Sequence, residues 1–146
     1  MRITSGVLKG RKLELNVRDG LRPSLAQNRQ AVFNILGNNL SKEKVLDLFC
    51  GSGIFGFEAF SRGAQSVVFI DKNRYLMQSI RENIERWGLS CDPFIFYAHR
   101  LPDALSILTG VFDLIYMEVK SFFSCKKQWS FFRKPFLIFF HYSYRL

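Results

Sequence analysis

Cysteine and histidine are scarce in this chain, and their scarcity argues against several classes of protein. The 146 residues include three cysteines, Cys50, Cys91 and Cys125, and two histidines, His99 and His141. No two cysteines have the CxxC spacing of a zinc ribbon, and an odd number does not complete a disulfide framework. The sequence therefore predicts a protein of the reducing cytoplasm that has no metal site.

Long apolar runs are also missing. The apolar stretch near the C-terminus is interrupted by Arg133 and Lys134, and Arg2 is followed by polar residues instead of the apolar run of a signal peptide. The composition, 48% apolar and 23% charged, is that of a folded chain, and the length is that of one domain. We therefore expect no membrane partner, and a monomer.

Acidic residues are absent from residues 119–146, and the charge of the chain is uneven. The net charge is +6 over residues 1–46, −3 over residues 47–118 and +6 over residues 119–146, which gives the total of +9. A basic N-terminal segment beside a mildly acidic body indicates a polyanionic partner and a separate small-molecule site. Nucleic acid is the partner that this pattern favours, although basic surface clusters are also common without one.

Strand-like and helix-like segments alternate after residue 44. This alternation is typical of an α/β fold with a mainly parallel sheet and right-handed crossovers. A short hairpin over residues 1–17, a loop over 18–23 and a helix from Ser24, whose capping box includes Gln27, are expected before it. The predicted strands are Val45–Phe49, Ser66–Ile70, Phe94–Tyr97 and Phe112–Met117. Three helices are predicted between them: one that ends at Arg62, one over Asn73–Trp87 and one over Asp103–Leu108.

The composition divides the chain into three parts: a basic hairpin and helix over residues 1–44, a core over 45–118 and an atypical tail over 119–146. The tail has no glycine, ten aromatic residues and no sustained periodicity of either strand or helix. One interpretation is an irregular strand pair with a basic end. The other is that the tail does not belong to the fold encoded by residues 1–118, as after a reading-frame change, so the sheet is incomplete at the C-terminus.

A glycine-rich turn follows the first predicted strand. Gly51, Gly53 and Gly56 have the GxGxxG spacing between a strand and a helix, where backbone N–H groups can approach a ligand closely. Asp71 follows the next strand, at the position where a carboxylate accepts hydrogen bonds from ribose hydroxyls. A tight turn and a helix N-cap are the purely structural alternatives for the glycines and for Asp71. Their occurrence together favours a cofactor that contains a nucleoside.

Two cofactors fit this turn. Asp47, four residues before Gly51, would repel the pyrophosphate of a nicotinamide dinucleotide, but it can lie near the positive groups of S-adenosylmethionine. A helix and 44 residues also precede the strand, which is unusual for a dinucleotide-binding fold. The pattern favours an S-adenosylmethionine-dependent methyltransferase, and a nicotinamide-dependent oxidoreductase remains the alternative.

These motifs together resemble the bacterial methyltransferases that modify guanine N2 in small-subunit ribosomal RNA. The resemblance covers about residues 1–118 and depends on segments 1–6, 10–13, 20–24, 29–34, 45–53, 58–64 and 67–73. It implies a Rossmann-like methyltransferase fold and transfer of a methyl group from S-adenosylmethionine to the exocyclic amine of a guanine in 16S rRNA. The partner it implies is ribosomal RNA or the assembling small subunit.

The resemblance also implies roles for particular residues. The implied cofactor-binding residues are Asp47, Phe49, Gly51, Gly53 and the ribose-binding Asp71. Candidate contacts to RNA phosphates are Lys9, Arg11, Lys12, Arg22 and Arg29. The family usually has an acidic residue that faces the adenine after its third strand, but this chain has His99 and Arg100 in that region.

The catalytic motif is where the chain departs from the family. The resemblance implies a carboxylate or amide, two prolines and an aromatic residue after the fourth strand, which hold the base amine and stack on the flipped base. The corresponding positions are Glu118, Val119, Lys120 and Ser121. Glu118 is the one candidate catalytic residue. An inactive cofactor-binding or RNA-binding remnant of the family is therefore a second hypothesis.

Overall fold

The computed structural model describes residues 1–15, 26–37, 39–100, 103, 106, 108, 111–119 and 137–142. Within these residues three helices and five strands are assigned, and the strands form one sheet. In chain order the elements are α1 Ala26–Leu36, β1 Lys44–Leu48, α2 Ile54–Ser61, β2 Ser66–Ile70, α3 Arg74–Arg86, β3 Phe94–Tyr97, β4 Leu114–Val119 and β5 Leu137–Tyr142.

The sheet is parallel throughout, in the order β3-β2-β1-β4-β5. In the central strand β1, Leu48 lies opposite Ile70 of β2 and Met117 of β4. The chain builds outward from β1 to β3 and then returns to add β4 on the other side of β1. Ligands of open α/β sheets bind at the carboxyl ends of the strands where the order reverses in this way. The predicted Rossmann-like α/β fold is confirmed.

Alternate residues of the strands point to opposite faces of the sheet, and both faces are apolar. On the first face, α2 and α3 pack against Val67, Phe69 and Tyr116. Aromatic rings build much of this layer, since Phe55 stacks on both Phe33 and Tyr116. The second face carries a separate buried cluster of Leu46, Leu48, Val68, Ile70, Ile115 and Met117.

The predicted hairpin is present as antiparallel pairing within residues 1–15, which we call the N-terminal arm. Arg2 and Lys12 form a single antiparallel bridge, and the Ile3 N–H donates to the Arg11 carbonyl at 3.0 Å. The arm is also part of the core, because Ile3, Leu8 and Leu13 are buried against the first face.

Part of the tail forms a regular strand, whereas its two interpretations were an irregular strand pair and a segment outside the fold. Residues 137–142, within the tail, form β5, which pairs in parallel with β4 from Leu114 to Val119. β4 also begins and ends two residues later than predicted, so it runs one residue past the boundary expected at 118. The apolar run from Leu137 to Phe140 is the signal that a search for alternation missed.

Other predicted features lie outside the described residues. The loop over 18–23 and the capping residue Ser24 are among them, as is most of the tail. Asp103, Ser106 and Leu108 are the described positions of the helix expected over 103–108. The division at residues 44 and 118 therefore stays a prediction.

Candidate cofactor-binding site

The carboxyl ends of β1, β2 and β4 bring three of the predicted site residues to one edge of the sheet. Leu48 is level with Ile70 and Met117, so Phe49, Asp71 and Glu118 each follow at that edge. With strands about 4.8 Å apart, the backbones at residues 71 and 118 are separated by about 10 Å across β1. Glu118 lies within β4, and its backbone pairs with that of His141.

The turn after β1 has three residues in the left-handed region of backbone space. Phe49, Gly51 and Gly53 have φ values of 54°, 55° and 72°. The turn is closed by a hydrogen bond from the Gly53 N–H to the Cys50 carbonyl at 2.8 Å, and the Cys50 N–H donates to Ile70 at 3.0 Å. For a bulky residue such as Phe49 this conformation costs on the order of 1–3 kcal/mol, a cost that clusters at functional sites.

Two of the glycines are required by close packing. A Cβ on Gly56 would lie 2.3 Å from the Phe69 ring, and one on Gly53 would lie 2.8 Å from Ile80. α2 can therefore approach β2 closely, and its first turn is held directly above the carboxyl edge. This explains the third glycine of the motif without any ligand contact.

Asp71 joins the end of β2 to the glycine-rich turn. Its Oδ2 accepts a hydrogen bond from the Gly51 N–H at 3.0 Å, and its Oδ1 accepts one from the Asn73 N–H at 2.9 Å. Asn73, and not Asp71, is the N-cap of α3, since its side chain accepts from Tyr75 and Leu76. The N-cap alternative for Asp71 is therefore wrong. Each carboxylate oxygen keeps a further lone pair that can accept from a ligand hydroxyl.

Asp47 lies behind the turn. It is 1% exposed, and its Oδ2 accepts a hydrogen bond from the Gly56 N–H at 3.0 Å in the first turn of α2. A carboxylate at a helix N-terminus is stabilised by the helix dipole. The described contact of Asp47 is thus with the protein backbone, and its expected place near a cofactor's positive groups stays a prediction.

A shallow depression of about 690 Å³ lies at the segment that follows Asp71 in the chain. It is formed by the loop from β2 to α3 and by the loop after β3. Its lining residues are Lys72, Asn73, Arg74, Tyr75, Ala98, His99, Arg100 and Asp103. Sequence reasoning did not select Lys72, Arg74 or Tyr75, although their position directly after Asp71 was a signal that could have done so.

The thiol of Cys50 is enclosed in the glycine-rich turn. Burial raises the pKa of Cys50 well above its ordinary value, and the nearby carboxylates of Asp47 and Asp71 raise this pKa further. Cys91, by contrast, is exposed. The thiolate is the nucleophile of cysteine chemistry, so Cys50 is held in its unreactive form.

We predict that the folded protein reacts with a thiol reagent at Cys91 and not at Cys50 near neutral pH. In a Cys125→Ser variant, which removes the third thiol, one equivalent of the reagent should be consumed in buffer and two in denaturant. Because the folded thiol of Cys50 keeps its proton to higher pH than the unfolded one, this group makes folding less favourable as pH rises above the ordinary thiol pKa. Two fast-reacting thiols in the native protein would contradict the prediction.

The structure separates the five predicted RNA contacts. Lys9 and Lys12 are exposed on the N-terminal arm, whereas Arg22 is outside the described residues. Arg11 donates to the Trp87 carbonyl at 3.1 Å and lies 5.9 Å from the centre of its ring. Arg29 is 2% exposed, so its guanidinium does not face solvent, and the expectation that it contacts RNA phosphates is corrected here.

Arg29 belongs instead to a buried ionic cluster around Glu58, which sequence reasoning missed. Glu58 lies 3.0 Å from Arg62 and 3.5 Å from Arg29, and it also accepts hydrogen bonds from the backbone of Thr4 and Ser5. Burial lowers the pKa of Arg29, while the negative charge of Glu58 raises it. The cluster therefore fastens the N-terminal arm and α1 onto α2.

Within the described ranges, no group of three His, Cys, Asp or Glu side chains is arranged to hold a metal ion. In the same ranges, no helix has the length and apolar character needed to cross a bilayer.

Two curated relatives are ribosomal RNA methyltransferases. Proteins described as Ribosomal RNA small subunit methyltransferase D, from Haemophilus influenzae and from Escherichia coli strain K12, are 35% and 37% identical over 85 and 84 residues. Each match covers 58% of this chain but 44% and 42% of the relative, so the chain matches less than half of their length.

Solved structures agree with this relationship. The Escherichia coli protein yhhF, assigned as a methyltransferase, superposes with a TM-score of 0.75 and 25% identity, covering 87% of this chain and 69% of that one. A structure of SMU.776 in complex with SAH superposes with a TM-score of 0.59, covering 75% of this chain and 30% of that one, and its 22% identity shows a common fold alone.

The family described as Conserved hypothetical protein 95 matches residues 1–118, the same residues to which the resemblance in the sequence extends. That match covers the arm, α1, the glycine-rich turn and the strands up to the last residues of β4. The resemblance is thereby confirmed, and the chain belongs to this family, whose curated members include the small-subunit ribosomal RNA methyltransferases.

Proposed function

We propose that this chain carries the S-adenosylmethionine-binding part of a methyltransferase that acts on the exocyclic amine of a guanine in small-subunit ribosomal RNA, in the cytoplasm. The observation that carries the proposal is Asp71, which is hydrogen-bonded to Gly51 of the glycine-rich turn and directly precedes Lys72 and Asn73 in the lining of an open depression. The names of the relatives supply the reaction class and the RNA.

The residues at this edge have the chemistry that an adenosine-containing cofactor needs. Each oxygen of the Asp71 carboxylate accepts one hydrogen bond from the described residues and can accept a second, so two neighbouring ribose hydroxyls can donate to this carboxylate. When bound, the cofactor supplies a methyl group on a positively charged sulfur, which a nucleophile displaces in line.

The protein's own contribution is positioning. The backbone hydrogen bonds to Asp71 and within the glycine-rich turn order the cofactor site before the ligand binds. Binding therefore costs less conformational entropy. Glu118 lies near the carboxyl end of β4, at the same edge, and is the candidate acceptor for the guanine amine. Holding the amine in line with the methyl group lowers the barrier without requiring a strong base.

RNA binding is assigned to the basic N-terminal arm. Lys9 and Lys12 are exposed, and ammonium groups bind phosphate without regard to base identity. Arg22 keeps this role as a proposal from the resemblance alone. Arg11 has a structural contact to Trp87 and is therefore a less specific probe of RNA binding than the two lysines.

We predict that Asp71→Ala weakens binding of S-adenosylhomocysteine by about 1–3 kcal/mol, because charge-assisted hydrogen bonds to the ribose are lost. Isothermal titration calorimetry measures this directly. Asp92→Ala is the matched control, since Asp92 is exposed and its carboxylate accepts a hydrogen bond from the Ser90 hydroxyl in a distant loop. Equal binding by both variants would contradict the role of Asp71, and binding of a nicotinamide dinucleotide in place of S-adenosylhomocysteine would favour the oxidoreductase alternative.

A catalytically inactive remnant that still binds cofactor or RNA is the second candidate. The observation that favours it is that β4 continues in a parallel ladder with β5 through Val119, where the family resemblance implies a proline-containing turn. Cofactor binding without methyl transfer by the intact chain would support this candidate.

A further inference from the structure

The basic end of the N-terminal arm lies at the edge of the sheet opposite to the cofactor site. Because β1 and β2 are parallel and α2 connects them, α2 runs from the carboxyl edge back to the amino edge, and α3 does the same between β2 and β3. The Val7 N–H donates to the carbonyl of Ser61, the last residue of α2, at 2.8 Å. Arg11 reaches Trp87, the C-cap of α3.

The length of α3 gives the separation between the two regions. Arg74, the first residue of α3, lines the depression, and Trp87 follows the last residue at the other end. A helix of 13 residues is about 20 Å long. Phosphates along one strand of a stacked helix are about 3.4 Å apart along its axis, so the gap corresponds to roughly six nucleotides.

The arm is also held in this place. The Glu58 carboxylate accepts from the Thr4 and Ser5 N–H groups, and the Asn83 side chain exchanges two hydrogen bonds with the backbone of Glu14. These contacts fix both strands of the arm on α2 and α3. Moving Lys9 to the cofactor edge would require breaking them.

The second basic region surrounds the depression. Lys72, Arg74 and Arg100 line it, and Tyr75 beside them is 77% exposed. Basic side chains around an exposed aromatic ring are typical of single-stranded nucleic acid binding, where the ring stacks on a base. Asp103 reduces the charge of this region without cancelling it.

The middle of α3 carries no net charge between the two basic regions. Glu82 and Glu85 lie there beside the exposed Arg81 and Arg86, and Arg86 is paired with Glu14 of the arm at 3.1 Å. This stretch therefore offers phosphates less net attraction than the basic regions at the two ends of the helix.

We propose that the protein holds its RNA at two separate places: a near contact around the depression, formed by Lys72, Arg100 and Tyr75, and a distal contact formed by Lys9 and Lys12 of the arm. Arg11, next to Lys12, lies at the far end of α3, about 20 Å along the helix from Arg74. The inference rests on the proposed function, which makes RNA the substrate. An RNA must then be long enough to span the domain before the arm contributes to its binding.

RNA length is therefore the decisive variable. The experiment measures the affinities of two single-stranded RNAs, of about five and about thirty nucleotides, against salt concentration for the full chain. Lys9→Ala/Lys12→Ala removes the distal contact, and Lys72→Ala/Arg100→Ala removes part of the near contact. Lys9→Arg/Lys12→Arg is the matched control, because it keeps both charges. Melting temperatures and S-adenosylhomocysteine binding report whether the arm variant remains folded.

We expect Lys9→Ala/Lys12→Ala to leave binding of the short RNA unchanged. For the long RNA it should reduce the slope of log affinity against log salt by about 1.4, from two contacts at about 0.7 each. Lys72→Ala/Arg100→Ala should weaken binding of both RNAs, and the arginine control should match the unmodified chain.

Two results would overturn the proposal while leaving RNA as the substrate: an arm variant that binds the long RNA as the unmodified chain does, or one that weakens both RNAs equally. If the folded, cofactor-binding chain bound neither RNA, the proposal and the RNA part of the proposed function would both fail.

Discussion

Glu58→Gln is expected to lower the free energy of unfolding by about 3–5 kcal/mol, the usual cost of removing one partner from a buried ion pair. For a chain of this length that corresponds to a melting temperature roughly 10–15 °C lower. The substitution keeps the size of the side chain and an oxygen that can accept from Thr4 and Ser5. What it removes is the negative charge that faces Arg29 and Arg62.

The magnitude follows from the burial of the cluster. The side chains of Glu58, Arg29 and Arg62 are 0%, 3% and 1% exposed. A guanidinium does not lose its proton in a protein, so both arginines would stay charged without a counter-ion in a region that water does not reach. Among the described residues, Nη1 of Arg29 has no hydrogen-bond partner even in the native state. The Arg29 guanidinium therefore has few other contacts that could stabilise its charge once the carboxylate of Glu58 is gone.

Chemical denaturation of Glu58→Gln measures the effect, and Glu85→Gln is its matched control. Glu85 is exposed on α3, and surface substitutions of this kind usually change stability by less than about 0.5 kcal/mol. A third variant, Glu58→Gln with Arg29→Met and Arg62→Met, also removes the two positive charges that have lost their counter-ion. It should recover part of the lost free energy of unfolding. No recovery, or a loss no larger than that of Glu85→Gln, would show that buried charge is not the cause.

The sequence was sufficient to predict the central part of the fold, because each local signal there agrees with the tertiary structure. Ser66–Ile70 is predicted as a strand from its β-branched and aromatic residues and is β2 with the same bounds. Gly56 is predicted from motif spacing, and the close approach of Phe69 gives it a physical reason. These features depend on contacts between neighbouring segments of the chain.

The buried cluster could not be predicted because it depends on distant contacts. Arg29 and Arg62 stand in segments where a basic residue most often faces solvent, and Glu58 joins them only after α1 and the arm have packed on α2. The position of the arm tip relative to the sheet could not be predicted from the sequence for the same reason. Charge alone suggested RNA contacts, but the side of the domain on which they lie depends on the direction of α2 and α3.

The second large effect is expected for catalysis. We predict that the chain as written transfers methyl groups at least about 100-fold more slowly than a family member with an intact catalytic motif. Stacking of the target base on an aromatic ring contributes about 1–3 kcal/mol, and Ser121 stands where that ring is implied. The loss of the rigid proline turn adds to this, since precise positioning of the amine can supply ~7–11 kcal/mol.

The fold adds a physical obstacle at the same residues. Val119 is in register with Tyr142 in the β4–β5 ladder, so the backbone is extended at the point where the motif would turn. Proline has no N–H to donate and is rarely found inside a parallel sheet. A substitution that restores the motif should therefore also end β4 early and shorten its pairing with β5.

A labelled-methyl assay on small-subunit ribosomal RNA tests this, with the intact chain compared with a variant carrying Glu118→Asp, Val119→Pro, Lys120→Pro and Ser121→Tyr. Circular dichroism and S-adenosylhomocysteine binding show whether both chains are folded with the cofactor site in place. Faster turnover by the folded variant would assign the defect to the motif, and rapid turnover by the unmodified chain would contradict the prediction. Because the prolines compete with the β4–β5 ladder, we expect the variant to lose stability, and its activity has to be compared per cofactor-binding molecule.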